Sequence, residues 1–390
     1  MISANGFDPI GISASAPFEM GADELSQLGK SLAVKFMTLR SGACALPERS
    51  GGPRSVCVSG ARGFLGAHVI AECLSRGAVV HAMCRRPDKL SAALKGFGLD
   101  PELAHRVTLF DGELSQMREQ DFPDADAFIH CAGRIHALAP LQKLWRDNAA
   151  CAASAMSVYA ARDSRVVFAS TLSCFVSSNV AGSHAEEPLA ASADILLRGG
   201  YAQSKLVAES AALELGACCA RLGLLTGSTI NGIFPSGSFF EAFAQGVARM
   251  GTVPEGFEEA WVDATPVDAA ARALAELALE EDEPERIVHV ANPRALALSM
   301  LIAPLAPRPI PKGQYEDALR GSPRLFQALA KAAFDKAAAM AERPERFNLD
   351  LFQATGHDFN SRLPIAIPNE ALAELYLARF GLISRRHHHG

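Results

Sequence analysis

Apolar residues recur at Leu25, Leu28, Leu32, Phe36 and Leu39, a spacing that predicts one amphipathic helix from Asp23 to about Arg40. Residues 1–22 before it show little periodicity, and 48–54, ERSGGPR, reads as a linker. The period then changes. Short apolar runs at 56–58, 79–84, 106–110, 127–131 and 165–169 read as strands buried on both faces. Helical patterns separate them: Val69, Ile70, Cys73 and Leu74 share one face before Gly77, and 145–161 reads as another helix. Strand and helix alternate throughout this half. The pattern predicts an α/β fold, a Rossmann-like doubly wound parallel sheet with helices on both faces. From about Thr226 the chain turns Gly-, Ser- and Thr-rich, followed by an apolar helix at 239–250, a helix capped by Asp268 and running to about Glu281, and a last strand at 287–291. The remainder is helix-rich with prolines at 304, 307, 309 and 311, and predicts a smaller, mainly helical C-terminal lobe. Three regions follow: an extension at 1–54, the sheet domain at 55–291 with an insertion near 227–264, and the lobe and tail at 292–390.

Residues 55–66, SVCVSGARGFLG, join a strand to a helix through glycines at 60, 63 and 66. Gly60 permits the tight turn, Gly63 lets the backbone approach a pyrophosphate, and Gly66 brings helix and strand close. The free N–H groups of the helix N-terminus complete a phosphate cradle. The next strand ends in Arg85 and Arg86, where an acidic residue would bind a ribose 2′-hydroxyl. A basic end favours NADPH over NADH, since a guanidinium pairs with a 2′-phosphate. The loop that opens with Asp111 and Gly112 can bring an acid to the adenine, and the small residues after Cys131, Ala132 and Gly133, can lie against a ribose.

About half of the 390 residues are hydrophobic (49%) and a fifth charged (21%), enough to bury a sizeable core. A net charge of −6 with no basic block gives no reason to expect nucleic acid as a partner. The nine cysteines include no Cys-x-x-Cys pair and several sit in strand-like runs, which predicts reduced thiols in a cytoplasmic protein. No signal peptide and no membrane-spanning run is visible. The terminal Arg-Arg-His-His-His-Gly reads as a disordered end.

Ser170 and Thr171 follow the fifth strand, and thirty residues on comes Gly200-Tyr201-Ala202-Gln203-Ser204-Lys205, opening a helix that continues through Leu213. One helical turn places Tyr201 and Lys205 on the same face. A neighbouring ammonium favours phenolate and is expected to bring the tyrosine toward the working pH range. Thr171 would orient a reacting carbonyl oxygen, Tyr201 would protonate it, and Lys205 would also hold the nicotinamide ribose.

The chain resembles the extended short-chain dehydrogenase/reductases, and within them the thioester reductase branch. That branch holds the terminal reductase domains of nonribosomal peptide and polyketide assembly lines, carboxylic acid reductases and fatty acyl reductases. The resemblance rests on Gly60-Ala61-Arg62-Gly63-Phe64-Leu65-Gly66, Ser170-Thr171, the Tyr201–Lys205 run with Val207-Ala208-Glu209 behind it, Arg221-Leu222-Gly223 and Thr265-Pro266-Val267-Asp268, with a fainter echo at 348–357. Arg62 stands where a small or polar residue is usual, and Leu222 where an Arg-Pro-Gly pattern has proline. The resemblance implies Thr171, Tyr201 and Lys205 as catalytic residues. It implies cofactor contacts at Gly60, Arg62, Gly63, Phe64, Leu65, Gly66, Arg85, Arg86, Asp111, Gly112, Cys131, Ala132, Gly133, Asn148, Lys205 and Leu224, and no metal.

The implied activity is NADPH-dependent reduction of an acyl thioester, on a carrier protein's phosphopantetheine arm or on coenzyme A, to an aldehyde or on to the alcohol. No carrier attachment site or adenylation motif is visible, so the thioester is expected from another protein, or the chain is one excised domain. The N-terminal segment reads as a packing helix, with docking to an assembly-line partner as the alternative. Phe239, Phe240, Phe243 and Trp261 read mostly as core, with an acyl channel as the alternative. Two rivals stand beside this function: a ketone, hydroxysteroid-like or nucleotide-sugar substrate on the same scaffold, and an NADP-binding sensor without turnover.

Overall fold

The computed structural model describes residues 19–38, 54–114, 116–136, 139–176, 182–189, 195–235, 238–257, 261–262, 264–280, 285–292, 296–322, 357–359 and 370–384. The expectations for residues 1–18, for most of the linker, for the echo before His357 and for the terminal tail lie outside these residues. Strand β1 (Glu19–Gly21) leads into helix α1 (Ala22–Thr38). The alternating half follows as β2 (Ser55–Ser59), α2 (Phe64–Ser75), β3 (Val79–Cys84), α3 (Leu90–Gly96), β4 (Val107–Asp111) and β5 (Ala127–His130). Helix α4 (Leu141–Leu144) passes through a π-helical segment, Trp145–Ala150, into α5 (Cys151–Ala161). Then come β6 (Arg165–Thr171), α6 (Ser173–Val176), β7 (Gly182–His184), β8 (Leu196–Arg198), α7 (Gly200–Glu214) and β9 (Cys218–Leu222). The last set needed is β10 (Leu225–Thr226), α8 (Phe239–Met250), β11 (Thr252–Pro254), β12 (Trp261–Val262), β13 (Thr265–Pro266), α9 (Val267–Leu279) and β14 (Ile287–Val290).

Seven strands form one sheet in the order β14-β9-β6-β5-β2-β3-β4, and every neighbouring pair is parallel. Parallel strands need covered faces, and the period of two supplies them. Val56, Val58, Ile129 and Val167 face α2 and α9 through Val69, Ile70, Cys73, Ala270 and Leu274. Cys57, Phe128 and Phe168 face the opposite layer, with Met156 and Tyr159 of α5 and Ala208 and Ala212 of α7. The strand order reverses between β2 and β5, which opens a crevice at their carboxyl ends.

Several expectations are refined in detail. The N-terminal segment takes the packing role expected of it. β1 pairs antiparallel with β8, Met20 opposite Leu197, and α1 buries Leu25, Leu32 and Phe36 in a cluster with Leu206, Val207 and Ala211 of α7. Gly29 allows this approach, since a Cβ there would stand 2.3 Å from the carbonyl oxygen of Val207. The helix expected over 145–161 begins as the π segment, a form that tends to mark functional sites. Asp268 does not cap its own helix; its carboxylate accepts from the backbone N–H of Thr229 at 3.1 Å and from the Thr229 hydroxyl. Leu222 in place of proline keeps β9 regular, pairing with both Thr171 and Val290.

A further cluster joins α8 to the C-terminal helix Glu370–Arg379. Phe240 and Phe243 are buried in it, Phe240 stacking on Phe234 at 5.5 Å, and the Tyr376 hydroxyl donates to the Gly227 carbonyl at 2.7 Å. Both phenylalanines are therefore core residues; the side chains of Phe239 and Trp261 lie outside the described ones. The described cysteines are all free thiols, buried apart from the partly exposed Cys131. Among the described residues no helix is long and apolar enough to cross a membrane, and no cluster of three metal-ligating side chains occurs.

Candidate active site

The crevice at the strand reversal is a cavity of about 610 Å³, lined by Gly60, Arg62, Gly63, Arg85, Ala132, Arg134 and Asp147 among others. Such a volume suits a ligand of cofactor size. Gly60 adopts φ +71°, and a Cβ on it would meet the Ala132 backbone nitrogen at 2.8 Å. The turn thus needs glycine both for its conformation and for the approach of β5. A Cβ on Gly66 would stand 2.3 Å from the Gly60 carbonyl oxygen, so the third glycine seats α2 on the turn. Gly63 is exposed and faces the cavity.

Arg62 donates from Nη1 to the Arg85 carbonyl at 2.7 Å, tying the glycine turn to the end of β3. Among the described residues its buried Nε has no hydrogen-bond partner. Arg86 sits at φ 56° with its N–H donated to the Asp111 carboxylate at 3.2 Å. Asp111 is thus engaged in holding the arginine turn, and Gly112, Glu113 and Leu114 form the cavity wall beside it. Phe64 and Leu65 open α2 and point into packing: Phe64 meets Phe97 edge to face at 5.4 Å, and Leu65 joins the sheet core. Cys131 and Gly133 line the cavity. Leu224, just past β9, is partly buried against the C-terminal cluster.

Asn148 lies in the π segment, buried, and knits three elements together. Its Oδ1 accepts from the Arg134 N–H at 2.7 Å, and its Nδ2 donates to the Arg134 carbonyl and to the Ser204 hydroxyl, both at 3.0 Å. It therefore joins the loop after β5 to α7.

The structure brings Thr171, Tyr201 and Lys205 together at the carboxyl end of β6. The Tyr201 phenol lies beside the Thr171 side chain, which favours its ionised form. The Thr171 hydroxyl donates to Ser173 Oγ at 3.0 Å and accepts from the Ser173 N–H at 3.1 Å. Lys205 is buried; its Nζ donates to the Ala169 carbonyl at 2.6 Å and stands 4.0 Å over the Phe168 ring. Burial pulls the ammonium down to about 8, against the opposing pull of Glu209. The phenol departs from the sequence expectation: burial pushes Tyr201 up to about 12, with only the Thr171 side chain lowering it, because Lys205 is held at Ala169. Tyr201 is thus a protonated donor at neutral pH. His130, fully buried at the end of β5, is pushed down to about 3 by burial and by Lys205, and stays neutral with its Nδ1 3.0 Å from Ser59 Oγ.

Three residues beside this trio escaped the sequence reading. Ser173 lies two positions past Thr171. Glu209 and Arg221 stand inside quoted motifs but received no role. The available signal was the spacing 201, 205, 209, one face of one helix.

The chain is 29% identical over 314 residues to an isonitrile lipopeptide synthase of Streptomyces coeruleorubidus, covering 73% of this chain and 21% of that protein. It is 27% identical over 284 residues to an L-2-aminoadipate reductase large subunit of Eremothecium gossypii, covering 63% and 20%. It thus spans about a fifth of the length of these curated relatives. The terminal R domain from the myxalamid PKS-NRPS biosynthetic pathway shares the fold with a TM-score of 0.70 at 22% identity, over 92% of this chain and 99% of that one. Residues 58–274, more than half of the chain, match the sequence profile of the NAD-binding Male sterility protein family, and the protein belongs to that family, the reductase branch that its motifs resemble.

Proposed function

We propose that this chain is an NADPH-dependent thioester reductase that converts an acyl group, carried on a carrier protein's phosphopantetheine arm or on coenzyme A, to an aldehyde. One observation carries the reading: Thr171, Tyr201 and Lys205 converge at a strand end next to a crevice built for a dinucleotide. The residues present fit the cofactor. The glycine turn leaves room for a pyrophosphate, and the unpartnered Arg62 Nε and the exposed Arg85 supply positive charge where a 2′-phosphate would lie. Gly60, Gly63, Ala132 and Gly133 would hold the cofactor's backbone, with Gly66 shaping the turn behind them, and Lys205 would hold the nicotinamide ribose.

When bound, NADPH supplies the hydride that adds to the thioester carbonyl carbon. The Thr171 and Tyr201 hydroxyls would bind the carbonyl oxygen and stabilise the charge that develops on it. Tyr201, held protonated by burial, gives its proton to that oxygen, and the resulting hemithioacetal breaks its C–S bond to release thiol and aldehyde. Lys205, the stronger acid of the pair, would restore the phenol's proton. Asn148 positions α7 through Ser204. The free thiols support a reducing, cytoplasmic setting. The names of the relatives, a lipopeptide synthase and an aminoadipate reductase, support a substrate delivered by an assembly line.

The test is incubation with NADPH and, in separate arms, an acyl-pantetheine, an acyl-CoA, a ketone and a nucleotide sugar, following the reduced-nicotinamide absorbance and trapping aldehyde. Oxidation with the thioesters supports the reading. Turnover of the ketone or the nucleotide sugar alone assigns a different reaction to the same scaffold, and NADPH binding with no turnover in any arm assigns a sensor.

A further inference from the structure

We infer that Glu209 is a positioning residue for the reacting trio, its carboxylate clamped by Arg221 and Ser170 so that it fixes the register of α7 on β6 and keeps Lys205 charged. The inference rests on the reaction proposed above. Tyr201, Lys205 and Glu209 follow one another at intervals of four on α7 and meet the end of one strand in turn. Tyr201 lies beside Thr171, Lys205 donates to the Ala169 carbonyl, and Glu209 accepts from the Ser170 hydroxyl at 2.5 Å. Ser170 and Arg221 are register partners on β6 and β9, so the one carboxylate staples the helix to both strands. Arg221 reaches it with Nη2 at 2.7 Å and with Nε at 3.1 and 3.2 Å.

Both charges are withdrawn from solvent, the Arg221 side chain at 0% exposure and that of Glu209 at 2%. Arg221 is held further by the Glu187 carbonyl at 2.9 Å, by His289 Nε2 at 3.4 Å and by the Phe175 ring at 4.9 Å. A buried ion pair is a poor way to stabilise a core, since apolar residues of like volume commonly serve as well or better. This pair instead sits between the residue next to Thr171 and the helix that carries Tyr201 and Lys205. The groups facing the Lys205 ammonium are Glu209 on its own helix, His130 and Cys131 at the end of β5, and Cys219 on β9. His130 is neutral there, and Glu209 is the foremost group that opposes the cost of burying the charge.

The test uses the full chain as wild type, as Glu209→Gln, and as Glu209→Gln with Arg221→Met, the last of which leaves no buried charge unpaired. The Lys205 titration is read by NMR of 13Cε-labelled lysine, with the resonance assigned by its absence in Lys205→Arg. This readout needs no turnover, so a wild type that reduces no thioester defeats the proposed reaction without touching it. Loss of the carboxylate is expected to lower the Lys205 midpoint by about one pH unit in both variants. Wherever the wild type turns over, kcat is expected to fall at least about tenfold with KM for NADPH little changed. An unchanged midpoint in the folded double variant overturns the inference. So does loss of the fold in that variant, which would make the pair a structural element only.

Discussion

At the scale of the residue, burial sets the chemistry. The half-buried phenol of Tyr201 keeps its proton, while the buried ammonium of Lys205 gives its own up near neutrality, at about 8. Tyr201→Phe removes the proton donor and leaves the cavity lining intact; turnover is expected to fall by about 10²–10⁴ with NADPH affinity nearly unchanged in a fluorescence titration. Loss of both would make the residue structural. Lys205 carries its charge below its folded value and loses it above, so kcat is expected to decline as pH rises through about 8. Arg62 is proposed to meet the far end of a bound cofactor. Arg62→Ala is expected to weaken NADPH binding at least about tenfold while NADH changes little, because a charged hydrogen bond to the 2′-phosphate is lost. Equal weakening of both cofactors would limit Arg62 to bracing the turn at Arg85.

At the scale of the element, what was legible in the sequence is what side-chain period records. Val56, Cys57 and Val58 announce a strand buried on both faces, and they divide between two core layers as a period of two requires. The spacing of Leu25, Leu32 and Phe36 likewise gives α1. The partner of α1 was not legible, because one glycine facing a carbonyl carries no periodic signature. Gly29→Val puts a branched side chain where even a Cβ comes within 2.3 Å of the Val207 oxygen, and is expected to destabilise the fold by about 1–3 kcal/mol in chemical denaturation. The π segment at Asn148 was hidden for a related reason, since a shift of backbone hydrogen-bond register leaves the apolar spacing almost unaltered. Asp268 followed the rule for a helix start, yet a tertiary partner, Thr229, took its carboxylate.

At the scale of the molecule, the order β14-β9-β6-β5-β2-β3-β4 does the assembling. It brings the glycine turn after β2 against Ala132, just past β5, and sets the Thr171 end of β6 next to both. Residues as far apart in sequence as Gly60 and Lys205 thereby meet at the carboxyl ends of neighbouring strands. The motifs predicted that meeting; the clamp of Ser170, Glu209 and Arg221 behind it has no mark in the sequence, because its members come from two strands and a helix. The most direct measurement of the central claim is NADPH consumption by the full chain with an acyl-pantetheine, with aldehyde trapped in the same sample. The account predicts that aldehyde appears as NADPH disappears, and that Tyr201→Phe stops both. NADPH that stays unoxidised with every thioester, while a ketone or nucleotide sugar is turned over, would contradict it.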